Sequence, residues 1–142
     1  MNDTHLIATD GSKNLFYIET PNLKIVKTVH TDININYLND LTSIVKDGKP
    51  TAYVLVCQYQ TPYIHLINIE TGHVLKQFDF SKVIKEQEAT FQQEFLHLSQ
   101  NQQDLWKYDH NMNGIVQVSD EMFLVTGKNW DSMYYVKFNL GI

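Results

Sequence analysis

A two-strand unit recurs three times along this 142-residue chain, and the recurrence limits the folds open to it more than any other feature. Leu6-Ile7-Ala8-Thr9 leads through Asp10-Gly11-Ser12-Lys13-Asn14 into Leu15-Phe16-Tyr17-Ile18. Tyr53-Val54-Leu55-Val56 leads through a polar stretch ending in Thr61-Pro62 into Tyr63-Ile64-His65-Leu66-Ile67. Phe123-Leu124-Val125-Thr126 leads through Gly127-Lys128-Asn129-Trp130-Asp131 into Met133-Tyr134-Tyr135-Val136. Each copy is a short β-branched or aromatic run, a polar connection and a second such run, which is how a hairpin reads. Two copies extend further, with Glu19-Thr20-Pro21 before Lys24-Ile25-Val26 and Glu70-Thr71-Gly72 before His73-Val74-Leu75. Both are turn chemistry, because Gly72 is free to take positive φ and Pro21 presets its own. They lie about fifty residues apart, the length of a four-stranded propeller blade. The pattern predicts an all-β chain, a partial β-propeller of about three blade-like repeats forming one domain over residues 1–142.

One segment breaks the repeat. From Ser81, placed to cap a helix, the residues Val83, Ile84, Gln87, Phe91, Phe95, Leu96 and Leu98 recur at spacings near three and four. Gln and Glu fill the opposite positions. This predicts one or two helical turns within an insertion over about residues 81–110, a solvated excursion docked by its Phe/Leu stripe.

The apolar fraction of 43% and aromatic fraction of 12% are those of a chain with a real core. Eleven basic against sixteen acidic residues leave a net charge of -5, with no basic cluster, so nucleic acid and anionic membrane are poor partners. No run reaches the eighteen or so apolar residues of a membrane span. Met1-Asn2-Asp3-Thr4-His5-Leu6 carries neither a basic nor an apolar leader region, so no signal peptide is expected, and the compartment stays open. The lone Cys57 forms no intrachain disulfide and reads as a buried thiol. His65 and His73 fall on neighbouring strand-like runs, but His5, His30, His97 and His110 are scattered and no carboxylate cluster joins them. No metal site is expected. No cofactor fingerprint or serine-nucleophile motif occurs either.

Several short segments, in order, carry a resemblance. They are Leu6-Ile7-Ala8-Thr9-Asp10-Gly11-Ser12, Leu38-Asn39-Asp40-Leu41-Thr42, Gln58-Tyr59-Gln60-Thr61, Ile67-Asn68-Ile69-Glu70-Thr71-Gly72 and the stretch from Asn113-Gly114 to Thr126-Gly127-Lys128-Asn129-Trp130. Together they resemble the C-terminal part of the plant- and bacterial-type glutaminyl-peptide cyclotransferases, which turn N-terminal glutamine into pyroglutamate. The likeness runs nearly end to end, apart from an insertion between about Glu86 and His110. It implies a five-bladed propeller in the family, of which this chain holds about three blades. It also implies an active-site lysine at Lys128, the catalytic candidate, and a substrate-holding asparagine at Asn39. Tyr59 stands where the family has a pocket tryptophan, which narrows the aromatic wall and adds a hydroxyl. Trp130 is a further substrate-contact candidate, with packing between blades as its alternative role. Asp40 and Thr42 replace two family glutamates and receive no catalytic role. Asn113-Gly114 reads as a turn.

The family's Phe-Thr-Gln-Gly-Leu motif and its Glu-Ser-Thr-Gly motif, whose glutamate is taken as the acid/base, do not occur in these 142 residues. The expectation is therefore the C-terminal half of a pocket for N-terminal glutaminyl peptides, without cofactor. An arc of blades also leaves two faces uncovered, so self-association or pairing with an N-terminal half is expected. A non-catalytic propeller module for peptide or protein interaction remains the alternative. Relatives are often exported.

Overall fold

The computed structural model describes residues 5–142; residues 1–4, part of the stretch read as lacking a leader, lie outside them. Among the described residues, ten strands form three antiparallel sheets in chain order, with no closed barrel. The first sheet is β1 (His5–Ala8), β2 (Asn14–Glu19) and β3 (Lys24–His30). The second is β4 (Leu38–Lys46), β5 (Lys49–Gln58), β6 (Tyr63–Asn68) and β7 (Val74–Asp79). After three helices, the third holds β8 (Met112–Gln117), β9 (Met122–Gly127) and β10 (Tyr134–Lys137). The three hairpins legible in the sequence are β1–β2, β5–β6 and β9–β10.

The second sheet is the middle layer, and this explains its unbroken apolar runs. Val54, Val56 and Ile67 face the first sheet with Leu15 and Val29, while Leu55, Cys57, Ile64 and Leu66 face the third with Ile115, Phe123 and Val125. A strand covered on both faces has no reason to alternate with polar residues. Gly72, with φ +77°, takes the positive-φ turn its sequence requires, and that turn docks on the first sheet. Tyr17 Oη donates to Ile69 O at 2.9 Å, and Asp32 N donates to Gly72 O at 3.1 Å.

Asn39 lies inside strand β4, where Thr9 Oγ1 donates to its carbonyl at 2.6 Å. Three sequence expectations need correction. Asn113 and Gly114 lie within β8 and form no turn. Gly114 is needed there because a Cβ would come within 2.6 Å of Thr126 Cγ2 on the paired strand. The insertion over 81–110 also holds more helix than one or two turns: α1 (Ser81–Thr90), α2 (Gln92–Leu96) and α3 (Gln100–Asp109) occupy it. Asp79 Oδ1, not the Ser81 side chain, takes up an N-terminal amide of α1 by accepting Ser81 N at 2.8 Å. Ser99 and Gln102 cap α3 reciprocally. The helices hold together through rings: Phe91 and Phe95 meet Trp106 edge-on, and His110 stacks on Trp106 at 3.8 Å.

His65 is fully buried on β6, with Nε2 donating to Gln58 Oε1 at 2.9 Å and Nδ1 without a partner among the described residues. Burial pushes its pKa below the ordinary 6.5. Above 6.5 both folded and unfolded chains hold it neutral. Below 6.5 the unfolded chain takes a proton that the folded chain refuses, so stability falls as pH falls. The urea midpoint should therefore drop between pH 6.5 and 5, and His65→Gln should flatten that slope. A midpoint in the native chain that is level across this window contradicts the assignment.

Candidate functional site

The site is built where the leading strands of the three sheets meet. These strands are joined by polar side chains. Asn39 Nδ2 donates to Asn113 Oδ1 at 2.6 Å, and Asp40 Oδ2 accepts Ile115 N at 2.8 Å. Lower down, Gln117 Oε1 accepts Val45 N and Gln117 Nε2 donates to Val45 O, both at 2.7 Å. At the same end, loop backbones interlock: Tyr37 N donates to Gly11 O at 2.8 Å, Gly11 N to Leu38 O at 3.1 Å, and Tyr59 N to Tyr37 O at 2.8 Å. Tyr37 and Gly11 carry positive φ to make these approaches.

The result is a shallow depression of about 310 Å³ in which Asn39 and Tyr59 stand together with Thr9, Asp10 and Tyr37. Tyr59 meets Tyr108 of α3 edge-on, ring centres 5.9 Å apart. Hydrogen bonding to the Tyr108 hydroxyl raises the Tyr59 pKa, while the Asn111 amide and the Lys128 charge pull the other way. Lys128 thus shares the electrostatic neighbourhood of Tyr59. Its Nζ donates to Asp109 Oδ1 at 2.5 Å, and this bond raises the lysine pKa, so it stays an ammonium through neutral pH.

The loop that carries Lys128 is stapled to the end of the helical insertion. Lys128 N donates to Asn111 O at 2.9 Å, Asn129 Nδ2 to Asp109 O at 3.2 Å, and Trp130 Nε1 to His110 O at 3.0 Å. Trp130 stands apart from the depression. Its ring covers Gly127, whose Cβ would fall 2.2 Å from the indole, and it packs on Tyr134 and the core between the second and third sheets. Asn39 and Tyr59 therefore line one depression, Lys128 lies near enough to act electrostatically on Tyr59, and Trp130 braces the lysine loop.

Tyr108 meets Tyr59, and Asp109 and Asn111 hold the Lys128 loop, though the sequence singles out none of the three. They come from an insertion read as a solvated excursion; their one signal is a dense polar and aromatic string immediately before β8. The histidines that suggested a pair have separate roles, His65 on Gln58 and the exposed His73 on Asp32. Among the described residues no group of three or more His, Cys, Asp or Glu is placed to share a metal ion. Burial of Cys57 pushes its thiol up to about 12, so it remains protonated and a poor nucleophile.

The sequence model of the glutamine cyclotransferase family matches residues 1–138, and the chain belongs to that family. Among solved structures it is similar to the glutaminyl cyclase of Myxococcus xanthus, with a TM-score of 0.71 and 17% identity over 96% of this chain and 52% of that one. At that identity the likeness speaks for the fold, and this chain spans about half the length of that relative. No curated protein sequence matches it.

Proposed function

We propose that this chain supplies the asparagine, tyrosine and lysine side of a glutaminyl-peptide cyclotransferase pocket, within a partial β-propeller whose three sheets act as blades. The observation that supports the reading is that Asn39 and Tyr59 line one depression and the Lys128 charge acts on Tyr59, although the three stand on separate segments. In the reaction the neutral α-amine of the glutamine attacks its own side-chain carbonyl carbon. The new C–N bond closes the ring, the bond to the amide nitrogen breaks, and the proton lost by the amine leaves with ammonia. Negative charge builds on the amide oxygen, which a fixed donor stabilises. The Lys128 ammonium, held in place by Asp109, is that donor. Asn39 and the Tyr59 ring hold the folded, ring-closing conformer.

The proton itself needs a free carboxyl carrier, and the carboxylates at the mouth are engaged. Asp10 accepts Ser12 N, Asp40 accepts Ile115 N, and Asp109 holds Lys128. The reading therefore places the carrier outside these 142 residues. Two outer sheet faces support pairing with further structure. Leu6 and Ile25 flank Ile18 on one, Val116 and Tyr135 flank Leu124 on the other, and all four flanking residues are at least half exposed.

Calorimetry with Gln-Ala amide tests the reading. The chain should bind it, and Lys128→Ala and Asn39→Ala should each weaken binding by about tenfold, the worth of one lost charged or buried hydrogen bond. Equal affinity for Gln-Ala and Gly-Ala amides, untouched by either variant, would leave the non-catalytic interaction module as the better account.

A further inference from the structure

The helical insertion does more than brace the lysine loop. Between α1, α3 and the β5–β6 connection lies a cavity of about 440 Å³, within the size range of small-molecule and peptide subsites. Pro62, Ile84 and the fully buried Met112 give it an apolar lining. Tyr108 and Asn111 also line it, Tyr108 packs edge-on against Tyr59, and Asn111 Nδ2 donates to Tyr108 O. The cavity and the mouth are thus separated by one wall, the Tyr59–Tyr108 pair, whose ring centres are 5.9 Å apart.

That spacing has a direct reading in peptide terms. An extended chain advances about 3.3–3.6 Å per residue. A peptide with its N-terminal glutamine against Asn39 and Tyr59 that runs along the edge of this ring pair advances about 7 Å in two residues, so a long side chain there reaches toward the cavity. Charge narrows the class further. Lys85 and Lys107 on the cavity lining are matched by Glu88 and Asp104, so no net field favours an acidic or a basic segment. The lining offers apolar contact, which a bulky uncharged side chain would use.

We propose that this cavity receives the peptide segment directly after the N-terminal glutamine and selects a bulky uncharged side chain at the second or third position. The inference rests on the glutaminyl-peptide reading of the mouth and adds to it a specificity element made by the insertion. No such pocket follows from the three hairpins alone, since α1 and α3 provide more than half of its lining residues.

The test uses the whole 142-residue chain and three tripeptide amides, Gln-Phe-Ala, Gln-Gly-Ala and Gly-Phe-Ala, with affinities from calorimetry. Gln-Phe-Ala should bind on the order of tenfold more tightly than Gln-Gly-Ala, the expected return for burying an aromatic ring. Ile84→Asp places a charge on the apolar lining and should erase that preference while leaving Gln-Gly-Ala affinity unchanged. Ile84 also touches the core, so Glu88→Trp serves as a second variant that fills the cavity from an exposed position. It should erase the preference in the same way. A phenylalanine preference that survives both variants, its absence in the native chain, or no binding of any peptide overturns the proposal. The two readings separate cleanly. If Gly-Phe-Ala binds as well as Gln-Phe-Ala and both variants weaken it, the cavity stands and the glutaminyl mouth falls. If both Gln peptides bind equally and Gly-Phe-Ala does not, the mouth stands and the cavity falls.

Discussion

Gly72→Ala should cost this chain at least about 3 kcal/mol, enough to unfold much of a domain of ordinary marginal stability. Two penalties combine. Holding an L-residue at φ +77° costs about 1–2 kcal/mol. The added Cβ would also lie 1.9 Å from His30 O and 2.8 Å from His30 C, which are backbone atoms and cannot swing aside. The only relief is to part the turn from β3, breaking the contact of Asp32 N with Gly72 O and the reach of Lys27 Nζ to Glu70 O. That would uncouple the first sheet from the second. Gly48→Ala isolates the first penalty, because Gly48 has φ +71° and nothing within 4 Å of its Cβ position. In urea unfolding, Gly48→Ala should lose about 1–2 kcal/mol and Gly72→Ala clearly more. Equal losses would mean that the turn does not clamp the two sheets.

The 142-residue chain alone should release no ammonia from Gln-Ala above the uncatalysed rate. A positioned general acid/base contributes about two to four orders of magnitude. The three carboxylates at the mouth are each committed to a backbone amide or to Lys128. Freeing one does not replace the carrier: Asp109→Asn removes the carboxylate that positions the Lys128 ammonium and so weakens the oxyanion donor instead. A coupled ammonia assay on the native chain and on Asp109→Asn checks this. Sustained release by the native chain would place the proton carrier within these residues and overturn the division of the pocket.

How much of this was readable in advance follows from where polar groups go. The runs Tyr53-Val54-Leu55-Val56-Cys57 and Tyr63-Ile64-His65-Leu66-Ile67 announced a strand pair because both faces are buried in apolar surroundings. Strand β4 did not announce itself, since Asn39, Asp40, Thr42 and Ser43 break the apolar pattern. Asn39, Asp40 and Thr42 are paired with groups on the leading strand of the third sheet, β8, a compensation visible only in three dimensions. Asn113 and Gly114 misled for the same reason, a side chain spent on β4 and a glycine spent on Thr126. The helical segment was underestimated because rings eleven to fifteen residues apart, Phe95 with Trp106 and Phe91 with Trp106, organise it in place of a periodic stripe. At the site, Asn39, Tyr59 and Lys128 were visible through family resemblance. Tyr108, Asp109 and Asn111 lie in or beside the helical insertion, where no motif marks them.

A single titration addresses the account most directly: backbone and side-chain amide NMR of the full chain with Gln-Ala amide. Shift changes should cluster on the Asn39 side-chain amide, the Tyr59 and Lys128 backbone amides and the Asn111 side-chain amide, with Trp130 and His73 quiet. Changes gathered elsewhere, or none at these four groups at saturating peptide, would show that the mouth does not bind glutaminyl peptides.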